Sequence, residues 1–398
     1  MSRKYKNVRE RNGKFYYRYD SKDPATGKRI QKEIGGFATA KEAEREGIKI
    51  QAEKIHGIYI DEKKITLAEW IDEWLEIYKA TGKVKQRTVD QRKSTLNAAK
   101  KIAGGLKLIE ITPLFYQTLL NDLINSSKNY SYGYIKNFHT VMNMLFTEAV
   151  KKEIIKKDPT ANIEIPRKKL TVDELENLVE LPEYLEKEEL AKLFIHAKNE
   201  IDRPQLFRAI YILAYTGMRI GELCALKLTD IDELHKRISI TKTLYVPRGI
   251  DEYVLNTPKN HASIRKIDIS SRVLTIIKEQ IAWRNKFKME YRKWFYDGPD
   301  FLFINENRHM GCPYPPGELR KHMAEVVSKA GLPPSITPHS LRHTYTSLMA
   351  EAGVELPAIQ KLLGHSSDEI TETVYLHVTN ARKRAAVEKL DALMDNLW

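Results

Sequence analysis

The sequence predicts three domains: a small α+β module at the amino terminus, an all-α domain in the middle, and a mixed α/β domain, mainly helical with a small antiparallel sheet, at the carboxyl end. The chain has 398 residues, which exceeds what one typical hydrophobic core organises. Strand signals precede the first run of helical patterns, and a second mixture of helices and strands follows it. The predicted boundaries are 1–64, 65–165 and 181–384, with a linker at 166–180 and a tail helix at 385–398.

The first segment, 1–64, contains two strand patterns and one helix pattern. KFYYRYDS and KRIQKEIGG alternate in polarity on either side of DPATG, whose proline and glycine supply turn geometry. Thr39 and Glu42 form a capping-box pattern, which predicts a helix that runs to about His56. We therefore expect a small sheet with one helix.

Positive charge is concentrated in this same segment, which has 17 Lys and Arg against 10 Asp and Glu, a net of +7 out of +13 for the chain. An excess of this kind, with a pI near 9.3, favours a polyanionic partner. Tyr17 and Arg18 lie where aromatic and basic residues interleave, so both are candidate DNA contacts. A half-buried strand with solvated ends predicts the same pattern equally well.

The middle domain is predicted as four helices. Thr66 and Glu69 form a second capping box before the periodic run LAEWIDEWLEIY, and further helical patterns follow near 86–103, 112–125 and 131–152. The second helix carries basic residues on polar positions, and three of them are candidate DNA contacts: Arg87, Arg92 and Lys93. A solvated face is the usual explanation of such a charge run. A stretch with two prolines, DPTANIEIPRKK, then leads towards the last domain.

The last domain begins with helical patterns, passes through the strand patterns KRISITKTLYV and SIRKIDIS, and returns to helices. The stretch LNTPKNHASIRKIDIS predicts a hairpin with Lys259 at its tip and Arg265 and Lys266 on the returning strand. A lysine at a hairpin tip is ordinarily only a solvated group. Beyond 384, apolar residues recur at helical spacing and predict the short tail helix.

Composition also limits the class of protein. The only two cysteines, Cys224 and Cys312, form no C-x-x-C pair, which argues against a disulfide framework or a cysteine-based zinc site and fits a reducing cytoplasm. No run of eighteen apolar residues occurs, and no apolar segment follows the charged amino terminus. We therefore expect neither a membrane partner nor secretion.

Two segments place arginines where helices begin. In TGMRIGEL, Gly217 is expected to end one helix, so that Arg219 lies at a helix junction with Glu222 one turn further on. Taken alone, this pattern favours an exposed Arg–Glu pair. In TPHSLRHT, a helix is predicted to start at Thr337, which places His339 and Arg342 on one face.

The segment LLGHSSDEITETVYLHV adds a second histidine and a tyrosine. Gly364 turns the chain before His365, and Tyr375 follows on a later helical pattern among apolar residues. Alone, Tyr375 is best explained as a core aromatic. A zinc hydrolase is a weaker alternative, because His339 and His343 have zinc-ligand spacing but Ser340 stands where the H-E-x-x-H motif has glutamate.

Taken together, two arginines, one lysine, two histidines and one tyrosine suit phosphodiester transesterification. A phenol can attack phosphorus, guanidinium groups match the charged nonbridging oxygens, and a lysine can protonate the leaving oxygen. No cluster of Asp and Glu predicts a two-metal site, so fixed cations would replace metal ions and no cofactor is expected.

These motifs resemble those of the tyrosine recombinases, or integrases, most closely those of integrative conjugative elements (conjugative transposons) and temperate phages of Gram-positive bacteria. The resemblance covers essentially the whole chain. TGMRIGEL is similar to the family's first arginine box, TPKNHASIRKI to its lysine hairpin, PHSLRHT to its H-x-x-R box, and LLGHSS with VYLHV to its histidine and nucleophile segment. The matching residues are Arg219, Lys259, His339, Arg342, His365 and Tyr375.

The resemblance implies a site-specific recombinase that integrates and excises a mobile element through a 3′-phosphotyrosyl intermediate. Tyr375 would be the nucleophile, Lys259 the general acid and His339 the group that takes and returns the tyrosine proton. The nonbridging oxygens would be held by Arg219, Arg342 and His365. Glu222 and Asp230 fit the family pattern as structural support.

The resemblance also implies partners and a location. The front module would bind arm-type DNA sites, and the other two domains would enclose a core-type site. We expect a homotetramer on double-stranded DNA, an excisionase or DNA-bending helper, and a cytoplasmic, nucleoid-associated protein. The alternative is a sequence-specific DNA-binding regulator without catalysis, which would give no reason for Lys259, His365 and Tyr375.

Overall fold

The computed structural model describes residues 5–22, 28–55, 65–82, 84–128, 130–167, 183–258, 263–364 and 369–379, with the single residues 387 and 391. The chain divides into two compact units, Met1–Leu170 and Thr171–Trp398. The predicted tail helix at 385–398 lies outside the described residues, apart from 387 and 391. The exact domain boundaries stay predictions.

The amino-terminal module is an antiparallel three-stranded sheet with one helix. Its strands are β1 (Val8–Arg11), β2 (Lys14–Lys22) and β3 (Arg29–Phe37), in the order β1-β2-β3, and α1 (Ala40–Ile55) packs on β2. The backbone N–H of Glu42 donates to the Thr39 hydroxyl, as expected at the start of α1.

Strand β1 was not predicted, although the sequence contains its signal. Asn12 and Gly13 both have positive φ, 52° and 71°, and join Arg11 to Lys14 as a two-residue hairpin loop. Asn-Gly is the preferred pair in such loops because both positions need a left-handed backbone. The strand VRER has one buried apolar residue, Val8, so its alternation is weak.

The helical domain confirms the predicted four helices. They are α2 (Leu67–Ala80), α3 (Gln86–Ala103), α4 (Pro113–Ile124) and α5 (Tyr132–Lys151). Thr66 and Glu69 form the predicted capping box. Trp70 is fully buried in the common core, and its indole N–H donates to the carbonyl of Leu145 at 3.1 Å, which satisfies the one polar atom of that ring.

The carboxyl-terminal unit combines helices with short strands. The helices are α6 (Lys187–Lys198), α7 (Pro204–Thr216), α8 (Ile220–Leu223), α9 (Ser271–Glu290), α10 (Pro316–Lys329), α11 (Pro338–Glu351), α12 (Leu356–Leu363) and α13 (369–379). The strands are β4 (Ile231–Asp232), β5 (Arg237–Ile240), β6 (Thr243–Tyr245), β7 (Val254–Asn256) and β8 (Arg265–Asp268). This mixture confirms the predicted fold class.

The predicted hairpin around Lys259 is wrong. The strand before Lys259, β7, pairs with β6, whereas the strand after it, β8, pairs with β5. The two strands on either side of Lys259 therefore belong to different sheets. Ile267 of β8 lies opposite Ile238 of β5, and both are buried in the main core. Burial of this pair explains why β8 joins the more distant strand. The segment 259–262, which contains Lys259, lies outside the described residues.

Both cysteines, Cys224 and Cys312, are buried free thiols. Among the described residues, no helix is long and apolar enough to cross a membrane.

Candidate active site

Arg219 is positioned by a sharp turn between two helices. Helix α7 ends at Gly217, which has φ of 61° in the left-handed region and donates its N–H to the Leu213 carbonyl at 3.0 Å. Arg219 is then the N-cap of α8, and its guanidinium lies 3.0 Å from the Glu222 carboxylate. The predicted helix junction is confirmed. The side chain of Arg219 stays partly exposed despite the pair.

Glu222 is shared with a second arginine from β8. It is 3% exposed, and its oxygens accept from Nη2 of Arg265 at 2.9 Å and from Nη1 at 3.3 Å. Burial alone would raise the pKa of the Glu222 carboxyl. The hydrogen bonds and charge of Arg265, with those of Arg219, outweigh burial and lower that pKa. Glu222 is therefore a buried, ionised carboxylate that aligns two guanidinium groups.

Arg342 joins three segments of the chain. It lies on α11 and is 2% exposed. Its Nη1 donates to the carbonyl of Gly217 at 2.6 Å, and its Nη2 donates to the carbonyl of Leu363 at 2.7 Å. Arg265 bonds the neighbouring carbonyl, that of Leu362, at 2.8 Å. The two arginines thus hold the end of α12 next to the Gly217 turn.

We call Arg219, Arg265 and Arg342 the arginine cluster. Arg219 and Arg265 both pair with the carboxylate of Glu222, whereas Arg342 bonds two backbone carbonyls, so positive charge exceeds negative charge among these four side chains. Guanidinium groups suit the oxygens of a phosphate because their N–H donors are planar and permanently charged. The cluster has the charge and the donors that an anionic group would need.

Apolar contacts bring Tyr375 to the same region. Tyr345, Ile359 and Leu363 form a small buried cluster, and Tyr375 of α13 packs against it half-buried. A Cβ added to Gly217 would lie 2.6 Å from both Tyr345 and Leu363, which shows how closely these side chains approach the turn. The predicted helix around Tyr375 is confirmed.

His339 lies on the first turn of α11, after the predicted N-cap Thr337. It is exposed, and its ring stands edge-on to that of the buried His343, with centroids 4.7 Å apart. Lys259 and His365 fall outside the described residues, as do their immediate neighbours 260–262 and 366–368. Within the described parts of the chain, no group of three His, Cys, Asp or Glu side chains could hold a metal ion.

The two candidate DNA contacts of the amino-terminal module, Tyr17 and Arg18, differ in exposure. Tyr17 needs a correction, because it is 3% exposed and its ring covers Gly47 of α1, where an added Cβ would fall 2.3 Å from the ring. It supports the module core instead of facing DNA. Arg18 points outwards and pairs with Glu33 at 3.0 Å on the neighbouring strand.

The three candidates on α3 also differ. Arg87 and Lys93 are exposed. Arg92 is half-buried and donates its Nε to the hydroxyl of Tyr78 at 2.8 Å, so part of its bonding capacity links α3 to α2. The sequence pattern could not separate these two situations, because Tyr78 belongs to another helix.

The sequence also missed the role of Arg265. It was recognised only as a basic residue on a strand, yet it bonds Glu222 and the Leu362 carbonyl. The glutamate in TGMRIGEL was the available signal, because a buried carboxylate needs more than the partly exposed Arg219 as a partner.

Three family models match the chain. An Arm DNA-binding domain matches residues 5–54, a phage integrase N-terminal SAM-like domain matches 66–124, and the phage integrase family model matches 183–382. The integrase of Staphylococcus phage L54a is 31% identical over 341 residues, which cover 83% of this chain and 94% of that protein. The transposase from transposon Tn916 of Enterococcus faecalis is 28% identical, covering 87% of this chain and 83% of that protein.

Solved structures show the same fold. The Tn1549 transposon integrase, in complex with transposon right end DNA, superposes with a TM-score of 0.63 at 24% identity, covering 82% of this chain and 100% of that chain. The lambda integrase tetramer bound to a Holliday junction has a TM-score of 0.55 at 21% identity, covering 93% and 94%. The comparisons give no support to a regulator without catalysis. With a family model over half of its length and a phage relative 31% identical across 83% of it, the chain belongs to the phage integrase family and is a tyrosine-type site-specific recombinase.

Proposed function

We propose that this recombinase integrates and excises a mobile element by cutting and rejoining duplex DNA through a 3′-phosphotyrosyl intermediate on Tyr375. The Tyr375 oxygen forms a bond to phosphorus, and the bond from phosphorus to the 5′ oxygen breaks. A 5′ hydroxyl from a partner duplex then attacks the phosphotyrosine and releases the phenol. One phosphodiester replaces another, so the exchange consumes neither a nucleotide cofactor nor a metal ion.

Each cation has a place in this proposal. Arg219, Arg342 and His365 hold the nonbridging oxygens, on which charge accumulates in the transition state. Lys259 protonates the leaving 5′ oxygen, and His339 accepts and returns the tyrosine proton. All of these roles carry over from the family motifs, and Lys259 and His365 lie outside the described residues.

The observation that carries the proposal is the pair of hydrogen bonds made by Arg342. They tie the turn before Arg219 to the end of α12, one residue before Gly364 and two before His365. The helix that holds Tyr375 packs on the same small apolar cluster. A core tyrosine and an isolated surface arginine would need no such arrangement.

The relatives support a proposal for the partners. The amino-terminal module, with its net charge of +7 in residues 1–64, is proposed to bind arm-type sites. The helical and catalytic domains are proposed to bind a core-type site. Arg18, Arg87 and Lys93 remain candidate phosphate contacts, because their side chains reach the surface at least in part. We expect a homotetramer on DNA, an excisionase or DNA-bending helper, and action at the nucleoid in the cytoplasm.

A suicide-substrate assay tests the chemistry. The protein is incubated, in chelator, with a nicked duplex that carries the end of its element, and a covalent protein–DNA adduct is expected to form. Mass spectrometry should place the nucleotide on Tyr375 and not on Tyr345, the nearest tyrosine upstream. Tyr375→Phe should bind DNA normally and form no adduct. An adduct that persists in this variant, or that maps to Tyr345, would show that the nucleophile is misassigned.

A further inference from the structure

The end of α9 and the turn after it carry an unusual composition that the catalytic proposal does not use. Residues 283–296 read WRNKFKMEYRKWFY, with six aromatic and five basic residues against one acidic residue. We call this segment the basic-aromatic surface. Interleaved aromatic and basic side chains are typical of surfaces that bind nucleic acid.

Two of its basic residues have structural roles. Arg284 is buried, donates to the Phe301 carbonyl at 2.7 Å and pairs with Asp300. Lys288 pairs with the same Asp300 carboxylate at 3.0 Å. These two cations share the single carboxylate of Asp300, so they are not counted as ligands for a partner.

The other three cations point outwards. Lys286, Arg292 and Lys293 are exposed, and none of them forms an ion pair with a carboxylate of the described residues. Lys293 instead stands 5.5 Å from the centre of the Trp294 ring. The surface therefore presents about three uncompensated positive charges on one short segment, which favours an anionic partner.

Large apolar groups accompany these charges. Trp294 is 66% exposed and Met289 is 80% exposed. The ring of Phe287 stacks on that of Trp283, with centroids 5.4 Å apart, and is tilted against that of Tyr291, with centroids 4.5 Å apart. Two exposed apolar groups are too few to enter a membrane, but they can lie against the sugars of a nucleic acid backbone.

The surface lies away from the arginine cluster. Arg208, near the start of α7, donates to Gln280 and stands over Trp283, whereas Ser270, the N-cap of α9, lines the same pocket as Tyr215 near the end of α7. The two helices therefore run antiparallel, and the Gly217 turn is at the opposite end of the pair from residue 290. Gly217 lies nine residues past Arg208, and residue 290 lies seven to ten residues past Trp283 and Gln280. At 1.5 Å per helical residue, the separation along the axes is about 25 to 30 Å.

We infer that the basic-aromatic surface binds the backbone of duplex DNA that extends beyond the core segment held at the arginine cluster. The three outward cations meet phosphates, and Trp294 lies against the sugar edge. The contact has no sequence preference, because it uses charge and not base edges. This inference rests on the proposed binding of a core-type site, but it does not depend on which residue is the nucleophile.

The test uses the full-length protein and two probes. One is a short duplex confined to the element end, and the other is the same duplex extended on both sides with random sequence. The variant replaces Lys286, Arg292 and Lys293 with glutamine, and its control exchanges the same residues between Lys and Arg to keep the charge. Dissociation constants are measured across a series of salt concentrations.

On the extended duplex, the glutamine variant should lose up to about 3 from the slope of log K against log salt, because each phosphate contact contributes about 0.9. The charge-preserving control should match the wild type. On the short duplex, affinity and adduct formation should be unchanged in both variants. An unchanged slope on the extended duplex would overturn the inference. An equal loss on the short duplex would overturn it too, since the surface would then belong to the core site.

A photo-crosslinking residue at Met289 locates the contact directly. It should crosslink to the added sequence of the extended duplex, whereas the same residue at Ile201, another exposed apolar position of this unit, should not. No crosslink from position 289, with binding intact, would also overturn the inference. If instead no wild-type adduct forms on any nicked duplex, the proposed catalytic function fails while the affinity measurements still decide the surface.

Discussion

Replacing Arg265 with methionine should destabilise the carboxyl-terminal unit and disorganise the arginine cluster. Methionine keeps much of the side-chain length but removes the charge and every N–H donor. Glu222 would remain buried with only the partly exposed Arg219 as a cationic partner, and the Leu362 carbonyl would lose its donor.

The size of the effect follows from this burial. Removing one partner of a buried ion pair typically costs about 3 to 5 kcal/mol of unfolding free energy. Arg219 compensates partly, but solvent screens it because its side chain is partly exposed. We therefore expect about 3 kcal/mol for Arg265→Met. Arg237→Met is the matched control, because Arg237 pairs with Asp268 on the adjacent strand with both side chains exposed, and its loss should cost below about 1 kcal/mol.

The unfolding free energy of the full chain is measured in urea. Hydrogen exchange of peptides from 204–223 is measured separately and reports on this unit alone. Adding Glu222→Gln to Arg265→Met should recover part of the loss, because the double variant no longer buries an uncompensated charge. If Arg265→Met were no more destabilising than Arg237→Met, or if the two changes simply added, the pair would not stabilise the site as described.

Four further predictions use other features. The pKa of Glu222 is lowered in the folded state, so its contribution to stability is complete above its unfolded pKa, about 4.3, and is lost as pH falls through the folded pKa. In acid titrations of the unfolding free energy, Glu222→Gln should reduce the loss of stability at low pH. Gly217→Ala should lower the thermal midpoint and abolish cleavage, because the new Cβ would lie 2.6 Å from two side chains. Gly353→Ala is the control: this glycine also has positive φ but open space around it, so the change should lower the unfolding free energy by only about 1 kcal/mol. Thr66→Ala should cost about 1 kcal/mol in the helical domain through the lost N-cap, measured by urea unfolding. Deleting 1–64 should reduce the salt dependence of binding to a substrate with arm and core sites, and an unchanged slope would contradict the division between the two site types.

Local signals in the sequence predicted much of the fold. Thr66 and Thr337 begin helices, and Gly217 ends one, because capping and left-handed turns depend on residues a few positions apart. Strand pairing depends on partners that are distant in sequence. The residues around Lys259 therefore could not show that β7 and β8 belong to two different sheets. The same limit hid the burial of Tyr17.

The candidate site shows the same difference between local signals and contacts of distant segments. The residue types of Arg219, Arg342 and Tyr375 were identified from motifs, because chemistry restricts them. Their supports, the Glu222–Arg265 pair and the carbonyls of Leu362 and Leu363, involve side chains and backbone from segments far apart in sequence. No spacing rule connects such segments.

The two carbonyl bonds of Arg342 also bear on events during translation. Arg342 bonds a carbonyl 125 residues earlier and another 21 residues later. A ribosome has therefore made both amino-terminal domains, the β-strands and Arg219 before the residue that joins the site exists. The proposed nucleophile, Tyr375, emerges later still. A nascent chain therefore lacks both the bonds of Arg342 and the proposed nucleophile until residue 375 has been made and has left the exit tunnel.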